Sequence, residues 1–206
     1  MNVKVITVPV GPLSANCHIV YGEDMQKALI IDPGGDFSIL MQRLNAINKS
    51  AGAVILTHGH FDHIMATNQF QELGVPVYMH QSDEQLINSN GNLAKYFGIK
   101  FQPFNVDNRL IEGDIEICGY NLTVYETPGH TQGGVCIKMQ NLLFTGDTLF
   151  EGSYGRTDFP GGNAKHLAES IKKLFTLQED LILYTGHGNN TYLQREKQTN
   201  PIKFLF

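Results

Sequence analysis

Residues 57 to 63, Thr57-His58-Gly59-His60-Phe61-Asp62-His63, hold three imidazoles and a carboxylate. Neutral imidazole and carboxylate are good donors for zinc, iron or manganese. In extended chain His58 and His60 lie two apart and point to the same side. Gly59 between them has no Cβ, so the backbone can turn and approach a ligand closely. Asp62 and His63 fall at the first turn of a following helix and project back toward the same spot. A carboxylate there also suits the positive end of the helix dipole. Four donors in one turn crowd a single ion but suit two. The natural division gives His58 and His60 to one ion, and Asp62 and His63 to a neighbour.

Further donors follow one grammar. Leu122 to Tyr125, Leu142 to Thr145 and Leu181 to Thr185 are apolar, strand-like runs, and each is followed by a glycine beside a His or Asp. The donors delivered are His130, Asp147 and His187. Five of the eight histidines then belong to one constellation. His18 and His80 stand alone and read as structural, and His166 reads as an exposed residue near the start of a helix. Two cations roughly 3.5–4 Å apart lower the pKa of a shared water from about 15.7 toward 7, giving hydroxide at neutral pH. A thiolate leaves without a general acid, so a thioester is a fitting substrate.

The elements that must position these donors alternate between strands and helices. Val3 to Val10, Asn16 to Tyr21 and Lys27 to Ile31 read as a strand meander broken at glycine-containing turns. Asp32-Pro33-Gly34-Gly35 reads as a tight turn, with Asp32 bracing the turn, supporting the metal loop, or both. Phe37, Leu40, Met41, Leu44 and Ile47 form a helical core stripe. Ala53 to Thr57 is the strand feeding the His cluster, Ile64 to Leu73 a helix, and Val75 to Met79 a strand. Residues 83–104 carry no metal-type spacing and are the least legible stretch. Two strands flank His130. Phe150 to Gly162 holds four glycines and a proline, which predicts an irregular loop rather than an element. It follows Asp147 closely and carries Tyr154 and Arg156, expected at a pocket rim, where the guanidinium could bind a substrate carboxylate or pair with Asp158. Asn163 caps a helix over Ala164 to Phe175, and a short helix precedes Asn200-Pro201.

At 206 residues, 42% apolar and 17% charged, the chain is that of an ordinary globular enzyme able to bury about 70% of its unfolded surface. No linker or repeat divides it, so residues 1–206 read as one domain. A net charge of −5 gives no nucleic-acid footprint. There is no signal-peptide pattern at Met1 to Val10 and no run long enough to span a membrane. Cys17, Cys118 and Cys136 read as small hydrophobes within strands, which makes the cytoplasm the expected compartment. The oligomeric state is open.

His-x-His-x-Asp-His followed by separate His, Asp and His at strand ends resembles the metallo-β-lactamase superfamily. Gly146-Asp147-Thr148-Leu149-Phe150 and Gly155-Arg156-Thr157-Asp158-Phe159-Pro160 resemble its glyoxalase II branch. The resemblance implies an α/β fold, the four-layered αβ/βα sandwich, with metals at one edge between the sheets. It implies that His58, His60 and His130 hold one ion, that Asp62, His63 and His187 hold the other, and that Asp147 bridges them. Asp62 and Asp147 would be the carboxylates at the reacting centre. The implied cofactors are two divalent ions, zinc first, with iron or manganese able to substitute. The implied activity is hydrolysis of hydroxyacylglutathione or related small thioesters. Full-length glyoxalase II enzymes carry a further C-terminal helical region with glutathione contacts. This chain ends soon after His187, so a looser grip on glutathione is expected. The β-lactamase branch fits less well, because its members are exported and lack a bridging Asp. The rival within the fold is a persulfide dioxygenase with one iron, which would be held by His58, His130 and Asp147.

Overall fold

The computed structural model describes residues 2–205. The chain opens with β1 (Val3–Val10), β2 (Ala15–Gly22) and β3 (Lys27–Ile31), followed by α1 (Phe37–Ala46) and β4 (Ser50–Ile55). Two short helices, α2 (Phe61–Ile64) and α3 (Thr67–Glu72), lead to β5 (Val77–His80), α4 (Gln81–Ile87) and β6 (Asn108–Leu110). These six strands form one sheet in sequence order, antiparallel from β1 to β3 and parallel from β3 to β6. A second sheet follows from β7 (Gly113–Ile117), β8 (Tyr120–Glu126), β9 (Val135–Met139) and β10 (Leu142–Gly146). The hairpin β11 (Leu149–Phe150) and β12 (Ser153–Tyr154) and then α5 (Ala164–Leu174) intervene. The sheet is completed by β13 (Ile182–Thr185) and β14 (Thr191–Tyr192), before α6 (Leu193–Thr199). Its order is β14-β13-β10-β9-β8-β7, with β10 and β13 parallel.

The side-chain alternation of strands turns this topology into layers. In β3, Leu29 and Ile31 join Ala53, Ile55, Tyr120, Val124, Ile137 and Phe144 in the core between the sheets. Their neighbours Ala28 and Ile30 pack with Leu40, Leu44 and Phe70 of α1 and α3. On the far side, Leu143 and Leu183 meet Leu167, Ile171 and Leu174 of α5 and Leu193 of α6. The result is helices, sheet, sheet, helices, the expected αβ/βα sandwich. Each of these fully buried aliphatic side chains contributes roughly 1.5–3 kcal/mol.

Four expectations need correction. The stretch Phe150 to Gly162, predicted as an irregular loop rather than an element, opens with the β11–β12 hairpin, in which Leu149 pairs with Tyr154 and Phe150 with Ser153 across Glu151 and Gly152. The helix predicted over Ile64 to Leu73 is two helices, because the Ala66 N–H donates to the Pro33 carbonyl (2.9 Å) and is drawn out of the helical ladder. The strand predicted to reach Thr57 ends at Ile55, and the Thr57 N–H donates to Asp32 Oδ1 instead (2.7 Å). Cys118 sits at the β7–β8 turn with φ 54°, not in a strand. Other readings hold. Asn163 caps α5 by accepting from the His166 N–H (3.0 Å), and His166 is exposed. His80 caps α4 and meets Glu126, while buried His18 contacts Thr7 and the Thr185 carbonyl. Among the described residues no helix is long and apolar enough to cross a membrane.

Candidate metal centre

Five of the seven predicted donors stand just past the carboxyl end of a strand, at the edge the two sheets share. His58 and His60 follow β4, His130 follows β8, Asp147 follows β10 and His187 follows β13. Asp62 and His63 lie in α2. Backbone bonds tie the sheets together at this edge. The Val135 N–H donates to the Thr57 carbonyl (2.9 Å), and the Asn16 N–H donates to the Gly186 carbonyl (2.7 Å). Two glycines permit the closeness. A Cβ on Gly34 would fall 1.6 Å from the Asp62 carbonyl oxygen, and one on Gly186 would fall 2.3 Å from Asp147 Oδ1.

The structure brings all seven donors together as two trios. His58, His60 and His130 form one, and Asp62, His63 and His187 the other; within each, donor atoms lie within 4.8 Å of one another. Asp147 stands between them. Its Oδ1 is 3.3 Å from His63 Nε2, and its Oδ2 is 3.4 Å from His130 Nε2 and 3.7 Å from His187 Nε2. His60 Nδ1 lies 2.9 Å from His130 Nε2, and His187 Nε2 lies 3.2 Å from Asp62 Oδ2.

The surrounding bonds settle which nitrogens face inward. His63 Nδ1 meets Asp32 Oδ2 (3.0 Å), leaving Nε2 toward Asp147. The Thr57 hydroxyl donates to the same Asp32 oxygen (2.6 Å), so it accepts from His58 Nδ1 (3.1 Å) and leaves Nε2 as the lone-pair nitrogen. His130 Nδ1 donates to the Arg156 carbonyl (2.7 Å), leaving its Nε2 toward His60 and Asp147. Asp32 could be counted with His58 and His63 as a third trio. With its oxygens engaged by Thr57 and His63, it is instead a support.

The electrostatics match this reading. Burial pushes His58 well below the usual imidazole range, and His60 down to about 3. Both are therefore neutral donors at neutral pH. Burial would raise Asp147, but the imidazoles of His63, His130 and His58 outweigh it and hold the carboxyl well below its ordinary range. Burial would lower His63, yet Asp147 and Asp62 hold it well above, so this spot calls for positive charge. His58 Nε2, the nitrogen that Thr57 leaves free, is buried without a hydrogen-bond partner. Orphaned buried polar atoms are costly unless something binds them. The donor set therefore fits a pair of divalent cations.

Sequence reasoning missed one buried carboxylate in the illegible stretch. Asp83 accepts from the Gly59 N–H (2.9 Å) and the Gly133 N–H (2.6 Å), stapling the His58–His60 loop to the loop that carries His130. Its spacing gives no hint of this, since the bonds reach 24 and 50 residues away. The same stretch also supplies a wall. Leu93 and Phe97 join Phe61, Phe150 and Phe159 around a cleft of about 370 Å3 that opens onto His60, Asp62, His130, Asp147 and His187. Tyr154 and Arg156 line it too. Arg156 also forms the bidentate pair with Asp158 (2.7 and 2.6 Å).

Two packed sheets with a His/Asp centre at their common edge define a metal-dependent hydrolase. The profile of the metallo-beta-lactamase superfamily matches residues 10–187, and the chain belongs to that family. It is 37% identical to the hydroxyacylglutathione hydrolase GloC of Haemophilus influenzae, over 98% of this chain and 97% of that protein. Among solved structures, the BLEG-1 B3 metallo-beta-lactamase is 34% identical with a TM-score of 0.90, covering 96% of this chain and 98% of that one. TTHA1623 in a di-iron-bound form is also 34% identical, with a TM-score of 0.85 over 95% and 98%.

Proposed function

We propose that this protein hydrolyses small thioesters of the hydroxyacylglutathione class with two divalent ions, zinc in the first instance. The observation that carries the reading is the single carboxylate of Asp147 set between two complete trios. His58, His60 and His130 would hold one ion, Asp62, His63 and His187 the other, and Asp147 would touch both. Such a pair supplies a nucleophilic hydroxide from water at neutral pH and polarises a carbonyl. The chain's own groups do the rest. Thr57, Asp32 and the Arg156 carbonyl fix the orientation of the imidazoles. The Phe61, Leu93, Phe150 and Phe159 side chains keep the acyl group in a water-poor cleft. Tyr154 and Arg156 at the rim would contact the substrate. The nitrogen-rich donor set favours zinc, and the neighbour TTHA1623, solved in a di-iron-bound form, supports iron as a substitute.

The name of the Haemophilus relative and the ease with which a thiolate leaves both favour thioesters. The likeness to BLEG-1 makes a β-lactam the second substrate class to assay. A single-iron dioxygenase would need only His58, His130 and Asp147, and the convergence of four further donors favours the two-ion hydrolase. Zinc-loaded protein is therefore expected to release thiol from S-lactoylglutathione faster than it opens a cephalosporin. Ring opening without thiol release would overturn the thioester reading.

A further inference from the structure

The hairpin β11–β12 is too small to hold its own place. It has two residue pairs, Leu149 with Tyr154 and Phe150 with Ser153, and an isolated two-stranded hairpin is marginal in water. Yet it carries two side chains of the metal-facing cleft, Phe150 and Tyr154. The Phe150 ring centroid stands 6.3 Å from that of His187. Leu149 anchors the first strand in the core with Leu167, Leu183 and Leu193. The turn and the second strand need another hold.

That hold comes from a distant part of the chain. Glu196 of α6 is fully buried, and its carboxylate reaches in two directions. Its Oε2 accepts from the Gly152 N–H at the hairpin turn (2.9 Å) and from the Asn200 side-chain amide (2.8 Å). Its Oε1 accepts from the Thr191 hydroxyl (2.7 Å). The Asn200 amide also donates to the Ser153 carbonyl (2.9 Å). None of these donors is charged, and a buried carboxylate without a cation is costly unless its hydrogen bonds are made. Thr191 opens β14, just after the loop that bears His187. Glu196 therefore spans the hairpin and the His187 loop. Nearer the surface Glu151 repeats the link, accepting from Asn189 Nδ2 (3.1 Å) and Arg195 Nη1 (2.7 Å).

Resting on the thioesterase reading, we propose that Glu196 is a positioning residue: it holds Phe150 beside His187 and so sets how bulky an acyl group the cleft admits. The bonds to Gly152 and Thr191 fix the separation between the hairpin and the His187 loop. Glutamine has the same shape, but its amide turns a donor toward groups that are themselves donors. The turn at Glu151 and Gly152 is then released, Phe150 withdraws, and the cleft widens on the acyl side. The metal donors keep supports of their own. His58, His63 and His130 stay tied to Thr57, Asp32 and the Arg156 carbonyl, and the Thr185 hydroxyl still donates to the His187 carbonyl (2.8 Å).

The test compares S-lactoylglutathione with S-mandeloylglutathione, which differs only in its bulkier acyl group, on the zinc-loaded full chain. Glu196→Gln is expected to raise the ratio of kcat/KM for mandeloyl over lactoyl about five- to tenfold, with both ions retained. Amide hydrogen exchange should quicken over residues 149–154 and stay slow in β8 and β10. An unchanged ratio, or an equal loss on both thioesters, would overturn the acyl assignment and leave the thioesterase reading standing. If the variant exchanges fast throughout, it has lost the fold, and Thr191→Val decides, since it removes one hydroxyl from the carboxylate and keeps the shape. A shift of the ratio in the same direction supports the proposal, and an unchanged ratio sinks it. If the wild type hydrolyses neither thioester, the thioesterase reading fails, and exchange decides the hold on the hairpin alone. Selective quickening over 149–154 in Glu196→Gln supports that hold, and its absence contradicts it.

Discussion

Asp32 shows how much of this centre rests on residues that touch no substrate. It accepts from the Thr57 N–H, the Thr57 hydroxyl and His63 Nδ1, and so aims one imidazole directly and His58 through Thr57. Asp32→Asn keeps the size but replaces one oxygen with a donor facing other donors. It is expected to weaken binding of the ion on His63 by about 10–100-fold, as for other supports of metal ligands. A chelator competition would show it, and unchanged affinity would remove Asp32 from the role. At this scale the seven donors were legible because their residue types and strand-end positions repeat. Thr57 and the Arg156 carbonyl were not, because a hydroxyl and a backbone oxygen carry no signature until the fold places them beside His58 and His130.

Among the elements, the loops matter more than the strands they leave. Asp83 at the start of α4 joins two loops from different sheets, and its removal orphans two buried N–H groups, each costing about 1–3 kcal/mol. Asp83→Ala should therefore lower the melting temperature of the metal-free protein. It should also loosen the ion on His58, His60 and His130 before the one on Asp62, His63 and His187. Equal loss of both ions in a metal titration would show that Asp83 acts on the fold at large. Strands such as Val3–Val10, Lys27–Ile31 and Val135–Met139 were readable from apolar alternation and turn residues. The break between α2 and α3 was not, because its cause is a carbonyl in a distant turn, that of Pro33. Residues 83–104 resisted for a related reason. Their buried carboxylate, Asp83, serves partners outside the segment, and of their aromatics Phe97 faces the cleft while Phe101 and Phe104 pack on the core beneath α1 and α3.

For the molecule as a whole, burying so many imidazoles at a sheet edge sets its response to acid. His18 is held down to about 3, mainly by burial, and His60 likewise, with His58 well below its usual range. In the unfolded chain these groups protonate near pH 6.5, so between 6.5 and about 3 the unfolded state binds more protons and stability falls with pH. His63 is raised and so contributes in the opposite sense: its stabilisation is complete below 6.5 and is lost only as pH rises through its folded value. Denaturant unfolding of metal-free protein should therefore show stability falling from pH 6.5 to 4, by up to about 1 kcal/mol per pH unit for each depressed histidine. His18→Gln should make that slope shallower, and an unchanged slope would contradict the assignment. Two ions, bridged by one carboxylate, are proposed to work as a unit on a thioester. This is tested most directly by titrating zinc into metal-free protein while following thiol release from S-lactoylglutathione. Little activity is expected at one equivalent per chain, and a plateau at two. A plateau at one equivalent, or two bound ions with no thiol released, would contradict it.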